Sequence, residues 1–214
     1  MRSTWKVVLL APLGAVLFGV VGCNSLLQAV GLRSAESTAT ENDGTSGEQI
    51  GTQSLNKSGD SNILRNREAG IELTLPASWS EDTNLHESAE LQALDPDKQL
   101  YIIVVAEEDD SLIRLGLREN AENYRNLLIN RLQSNGQFEN QSPTDVSFIG
   151  DDFANQYEIR GRVGDDTPVV YLHTTVVTEN RYYQIVAWTT QAQYDAYKSE
   201  LESITETFRE VNAG

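Results

Sequence analysis

Among 214 residues the chain carries a single cysteine and two histidines. A lone thiol excludes an internal disulfide, so the fold has to rest on its apolar core. His86 and His173 have no cysteine partner and no second histidine at ligand spacing, so no metal site is read from them. Positive charge is also scarce: 16 Lys and Arg face 32 Asp and Glu, a net charge of −16. That balance argues against a nucleic-acid partner. There is no Gly-x-Ser-x-Gly, no phosphate-binding glycine loop and no Cys–His arrangement, so hydrolase, nucleotide and thiol chemistry have no basis in the sequence. The acidic runs at Glu107–Asp110, Asp151–Asp152 and Asp165–Asp166 fall at turns and strand ends without EF-hand spacing, and read as solvated turns.

What is present begins with an apolar run. Arg2 and Lys6 precede Val7 to Val21, which ends in Val20-Val-Gly-Cys23. A charged start, an apolar stretch and a small residue before the break make a secretory leader. At about 15 residues the run is short for a spanning helix, which needs about 20. The residues before Cys23 resemble the lipobox of bacterial lipoproteins, in which the cysteine is acylated and becomes the new amino terminus. Residues 1–22 are therefore expected to be a lipoprotein signal peptide and Cys23 the lipidation site, palmitate included. Two or three acyl chains hold a protein on a membrane stably. The expected location is extracytoplasmic, anchored to a bacterial membrane.

From Arg33 to Asn62 the chain turns to Ser, Thr, Gly, Asn, Gln and acids, with Ile50 and Leu55 the only large apolar side chains. Such a stretch buries too little to offset its chain entropy, so residues 23–64 are assigned as a disordered acidic linker. A coil of that length reaches roughly 35 Å.

The folded part is expected over residues 65–211. Val169–Thr178 and Arg181–Thr189 are β-branched and aromatic runs separated by Glu179-Asn180, a tight hairpin. Its register pairs Val176 with Tyr183 and Leu172 with Ala187 on one face, and His173 with Val186 and Tyr171 with Trp188 on the other. Both faces carry apolar groups, so both should be covered. Thr190 and Gln193 suggest a capping box, followed by a helical stripe of Tyr194, Tyr197, Leu201, Ile204 and Phe208. Earlier, Ile71–Leu75 alternates as a strand stopped at Pro76. Leu91–Ala93 and Leu100–Ala106 flank a turn at Asp95-Pro96, and Leu117, Ala121, Tyr124, Leu128 and Leu132 make a second helical stripe ending at Gly136. Val146–Ile149 and Phe153–Arg162 complete the set. The order is three strands, helix, four strands, helix, with hairpin-length loops. The fold class is α+β, a central antiparallel sheet of about six to seven strands with helices packed on its faces.

The Pro76-x-x-Trp79 corner, the aromatic hairpin running through Trp188-Thr-Thr190 into a closing helix, and Ile204-x-x-x-Phe208 resemble the PsbP-like superfamily. That group includes DcrB-type and LpqN-type lipoproteins and a Ran-binding import factor. The resemblance covers about residues 65–211. It implies an α/β/α sandwich, no established catalytic residues, no cofactor, and a role as an adaptor or assembly factor associated with a photosystem or an envelope.

One hairpin face is aromatic and polar together: Tyr171, His173, Thr175, Tyr182, Gln184 and Trp188. Such mixtures favour interfaces and pockets. Either the Leu117–Leu132 helix covers this face, with His173 and Gln184 satisfied beneath it, or the Trp188 end stays open beside Trp79 as a shallow groove. Trp79, Tyr171, His173, Tyr182, Gln184 and Trp188 are the candidate partner-binding residues. The function expected is a lipid-anchored, non-catalytic binding or assembly module with an unidentified protein partner. The alternative is a metal-binding protein or enzyme whose site is assembled from separated loops.

Cys23→Ser should release the protein from the membrane fraction or leave an unprocessed precursor. Intact-mass spectrometry that finds an unmodified Cys23 in membrane-bound mature protein would refute the anchor.

Overall fold

The computed structural model describes residues 53–107, 116–164, 166–179 and 181–211. The expected leader, Cys23 and the turn residue Asn180 lie outside them. A large sheet runs in the order β4 (Ser80–Glu81), β5 (Leu91–Asp95), β6 (Leu100–Glu107), β11 (Tyr182–Thr190), β10 (Thr167–Val177), β9 (Asp152–Val163) and β7 (Phe138–Pro143), with β8 (Phe148–Ile149) also paired to β9. A second sheet holds β1 (Gln53–Ser58), β2 (Ser61–Asn66), β3 (Ile71–Pro76) and β12 (Arg209–Glu210). Every pairing is antiparallel. The helices among the described residues are α1 (Leu117–Ser134) and α2 (Gln191–Glu206).

The large sheet divides the molecule into two cores. On one side Val170, Leu172, Val176, Tyr183, Ile185 and Ala187 pack against Tyr194, Leu201 and Ile204 of α2 and against Leu64, Ile71, Leu73 and Leu75 of the small sheet. On the other, Tyr101, Ile103, Val169, Tyr171, Val186 and Trp188 meet Leu128, Ile129 and Leu132 of α1. The hairpin register is the one its two-residue turn requires, with Val176 opposite Tyr183 and Tyr171 opposite Trp188. β10 and β11 sit in the middle of the sheet and are buried on both faces, which explains why neither run alternates cleanly with polar residues.

Four expectations are corrected. First, folded chain begins at Gln53, inside the stretch assigned to linker, because β1 and β2 form a hairpin there. The polar composition that suggested disorder is partly buried. Asn62 donates from Nδ2 to the carbonyl of Trp79 at 3.1 Å, and Asn66 donates to the carbonyl of Glu90 at 3.0 Å. A buried amide whose hydrogen bonds are met costs little, yet in sequence it looks like a loop residue. Second, Ile71–Pro76 belongs to the small sheet, so one face of the large sheet is covered by a helix and a second sheet together. The architecture is richer in sheet than an α/β/α sandwich. Third, Phe138–Pro143 adds an edge strand between the helix end at Gly136 and the strand expected at Val146–Ile149. Fourth, Thr190 caps α2 without a side-chain hydrogen bond, so the capping box does not form.

Two features brace the sheets. Glu72 on β3 is nearly fully buried and receives the Nε–H of Arg65 from β2 and of Arg209 from β12, each at 2.6 Å. Burial raises its carboxyl, but the bonds from Arg209 and Arg65 outweigh that and hold it below the usual carboxylate range. In the other, Gly161 on β9 has no Cβ because one would lie 2.8 Å from the carbonyl of Gln137, where the chain leaving α1 crosses the sheet.

Leu64→Ala should cost about 2–5 kcal/mol, the usual loss for a fully buried leucine. A chain beginning at Leu64 should melt well below the full chain. Equal melting temperatures would show that β1 and the start of β2 contribute nothing.

Candidate functional site

α1 packs over β7, β9 and β10 and so lies off the centre of the large sheet. Beneath its inner edge, over β11 and β6, a cavity of about 250 Å³ remains. Its floor comes from neighbouring strands in register: His173 on β10 stands opposite Val186 on β11, which stands opposite Ile103 on β6. Gln184 and Val105 form the next row, and Trp188 closes one end. Tyr124, Leu127, Leu128 and Arg131, at steps of three and four on one helix face, make the roof, and His86 comes in from the loop before β5.

The polar groups of the floor are ordered. Gln184 donates from Nε2 to the Glu107 carboxylate, which leaves its Oε1 to accept from His173 Nε2 at 3.0 Å. The amide orientation places the imidazole proton on Nε2. Burial drives His173 from its ordinary 6.5 down to about 4; the Gln184 contact opposes this and the nearby Arg125 charge reinforces it. His173 is therefore an uncharged imidazole near neutral pH. His86 is also pushed down, by burial first and by Arg131, with Glu87 pulling the other way. Its loop is clamped, since the Gln92 side chain accepts from the His86 amide and donates to its carbonyl, both at 2.8 Å.

The candidate residues separate into three groups. His173, Gln184 and Trp188 line the cavity together. Tyr171 and Tyr182 lie on the same face but outside the lining: Tyr171 is buried against Trp188 with ring centroids 6.3 Å apart, and Tyr182 sits 6.4 Å from Tyr124. Burial holds the Tyr171 hydroxyl well above its usual value. Trp79 is on the opposite side of the sheet, in the α2 core, where its indole N–H donates to Glu200 at 2.9 Å. The open groove between Trp79 and Trp188 does not exist. Both rings are buried, and the sheet lies between them. The reason is parity: Trp188 shares a face with Tyr101, on which it stacks at 5.2 Å, whereas Trp79 follows a strand of the other sheet.

His86, Leu127 and Arg131 were not read as site residues. Leu127 is the one detectable signal, an apolar residue beside the Tyr124–Leu128–Leu132 stripe that is 66 % exposed. Among the described residues no three His, Cys, Asp or Glu side chains gather as a metal site.

No protein-family model and no curated protein matches the chain. Solved structures similar to it include cyanobacterial PsbP from Synechocystis, at 16% identity and a TM-score of 0.49, over 78% of this chain and 98% of that one. Another is the Ran-binding protein Mog1p of Saccharomyces cerevisiae, at 14% identity and a TM-score of 0.47, over 74% and 97%. The likeness is one of fold.

Because the unfolded chain protonates His173 near 6.5 and the folded one only near 4, stability at this group is complete above 6.5 and is lost as pH falls between those values. The loss is roughly 3 kcal/mol at most. Carboxylates held low, such as Glu72 and Asp95, act only below their ordinary values of 4.5 and 3.8. Urea titrations at pH 7, 5.5 and 4.5 should therefore show a slope that His173→Gln flattens, with His86 supplying the remainder. An unchanged slope in that variant would contradict the burial argument.

Proposed function

We propose that this protein is a membrane-tethered binding module without catalytic activity, held by lipid on Cys23, and that its binding site is the cavity between α1 and strands β6, β10 and β11. The observation that carries the reading is the pairing of an apolar concavity with an internally satisfied polar floor, His173–Gln184–Glu107. Binding sites of this kind are concave, mostly apolar and supplied with a few fixed polar groups. A general base needs a pKa near the working pH, and His173 is far below it. The arrangement suits recognition better than proton transfer. The lipid anchor rests on the Val20–Cys23 sequence, and the linker that follows lets the domain stand off the membrane.

A photoreactive residue at Leu127, at the lip of the cavity, should form a defined adduct when the protein is irradiated in its native membranes. The same residue at Ser199, exposed on α2 across the sheet, should not. Equal labelling at both positions, or none at Leu127, would overturn the site.

A further inference from the structure

Resting on the cavity as the binding site, we infer that its ligand is an uncharged, mainly apolar molecule of about the size of a two-ring aromatic. Size follows from volume. A cavity of about 150 Å³ lined by aliphatic and aromatic side chains takes up benzene, and the one beneath α1 measures about 250 Å³. The walls set the body of the ligand. Ile103, Val105, Leu128 and Val186 offer aliphatic contact, and the Trp188 ring, buried and fixed by stacking on Tyr101, closes one end. An apolar molecule gains dispersion contact along these walls.

Charge is decided by the floor. His173 and Gln184 are the polar groups there, and they are bonded to each other and, through Gln184, to Glu107. His173 is 2 % exposed and neutral. An environment that strips the proton from an imidazole at neutral pH also disfavours a ligand ammonium or carboxylate, which would lose its water without gaining a counter-charge. The charged side chain of the lining is Arg131, which stands on the outer, exposed part of α1 and not on the floor. His86, beside it and near Glu87, is itself held towards its neutral form. Among the described residues the Glu107 carboxylate is taken up by Gln184 and lies outside the lining, so the lining presents no buried charge for an ionised ligand to pair with at depth.

Three probes share one ring system and differ in charge near pH 7: 1-naphthol is neutral, 1-naphthoate anionic and 1-naphthylmethylamine cationic. Each is titrated into the full chain carrying Cys23→Ser, and binding is followed by methyl NMR shifts of Val105, Leu128 and Val186. The expected result is saturable binding of 1-naphthol with shifts confined to the cavity, and at least tenfold weaker binding of both charged probes. Val105→Phe, which fills the space, should weaken 1-naphthol at least tenfold, while Val105→Ala should not. Charged probes that bind as tightly as 1-naphthol would overturn the assignment of ligand class while leaving the cavity as the site. Failure of all three to bind, with the Leu127 adduct still formed, would also overturn it and would point to a protein surface instead.

Discussion

A strand buried on both faces has no solvent side on which to place a mismatched residue, and β10 and β11 are two such strands side by side. A slip of one residue between them would send Leu172, Val176 and Ile185 into the α1 core and Tyr171, Val186 and Trp188 into the α2 core. Both cores would be lost together. With only two residues between Thr178 and Arg181, whose backbones are bonded at 3.0 Å, the connection is too short to admit another register. The other layers depend on that register. α2 lies over the mainly apolar face, where Thr174 is bonded by Gln156, and α1 lies over the face that carries His173 and Gln184.

This dependence explains what could be read from the chain. The hairpin partners, the two helical stripes and the mixed character of the α1 face are local patterns with periods of two or about 3.6 residues, and they were legible. β1, β2 and β7 were not. β2 buries Asn62 and Asn66, where hydrogen bonding stands in for apolar packing, and β7 reads Phe-Glu-Asn-Gln-Ser-Pro with every residue after Phe138 exposed, so neither shows the apolar alternation that marks a strand. The side of the sheet on which Trp79 falls was also illegible, because it depends on which sheet Ile71–Pro76 joins. Of the site, His173, Gln184 and Trp188 followed from face parity, whereas His86 and Arg131 arrive from a distant loop and from a flank of the helix stripe.

The cavity itself follows from an offset. A helix centred on the large sheet would seal Val186 and Ile103 as completely as their counterparts across the sheet. α1 instead sits towards β9, where the missing side chain at Gly161 lets the chain that leaves the helix approach the strand closely. Packing at one end of the helix thus decides how much floor is left uncovered at the other. Arg125 takes part in the same placement, with its guanidinium 3.7 Å over the Tyr157 ring.

The Gln53 side chain donates to the carbonyl of Asp82 at 2.6 Å and accepts from the amide of Gln92 at 2.8 Å, and Gln92 in turn clamps His86. Gln53 is also the first residue of the β1–β2 hairpin and lies at its open end, opposite Asn66. Tension arriving along the chain from the amino-terminal side is therefore applied in the unzipping direction, where hydrogen-bonded pairs break one after another and not all at once. Peeling the six residues of β1 pays out roughly 20 Å of slack, and the first pair to yield is the one that braces the wall of the cavity. Mechanically, the β1–β2 hairpin is a soft joint at the amino-terminal edge of the described residues, and that joint is also a buttress of the pocket.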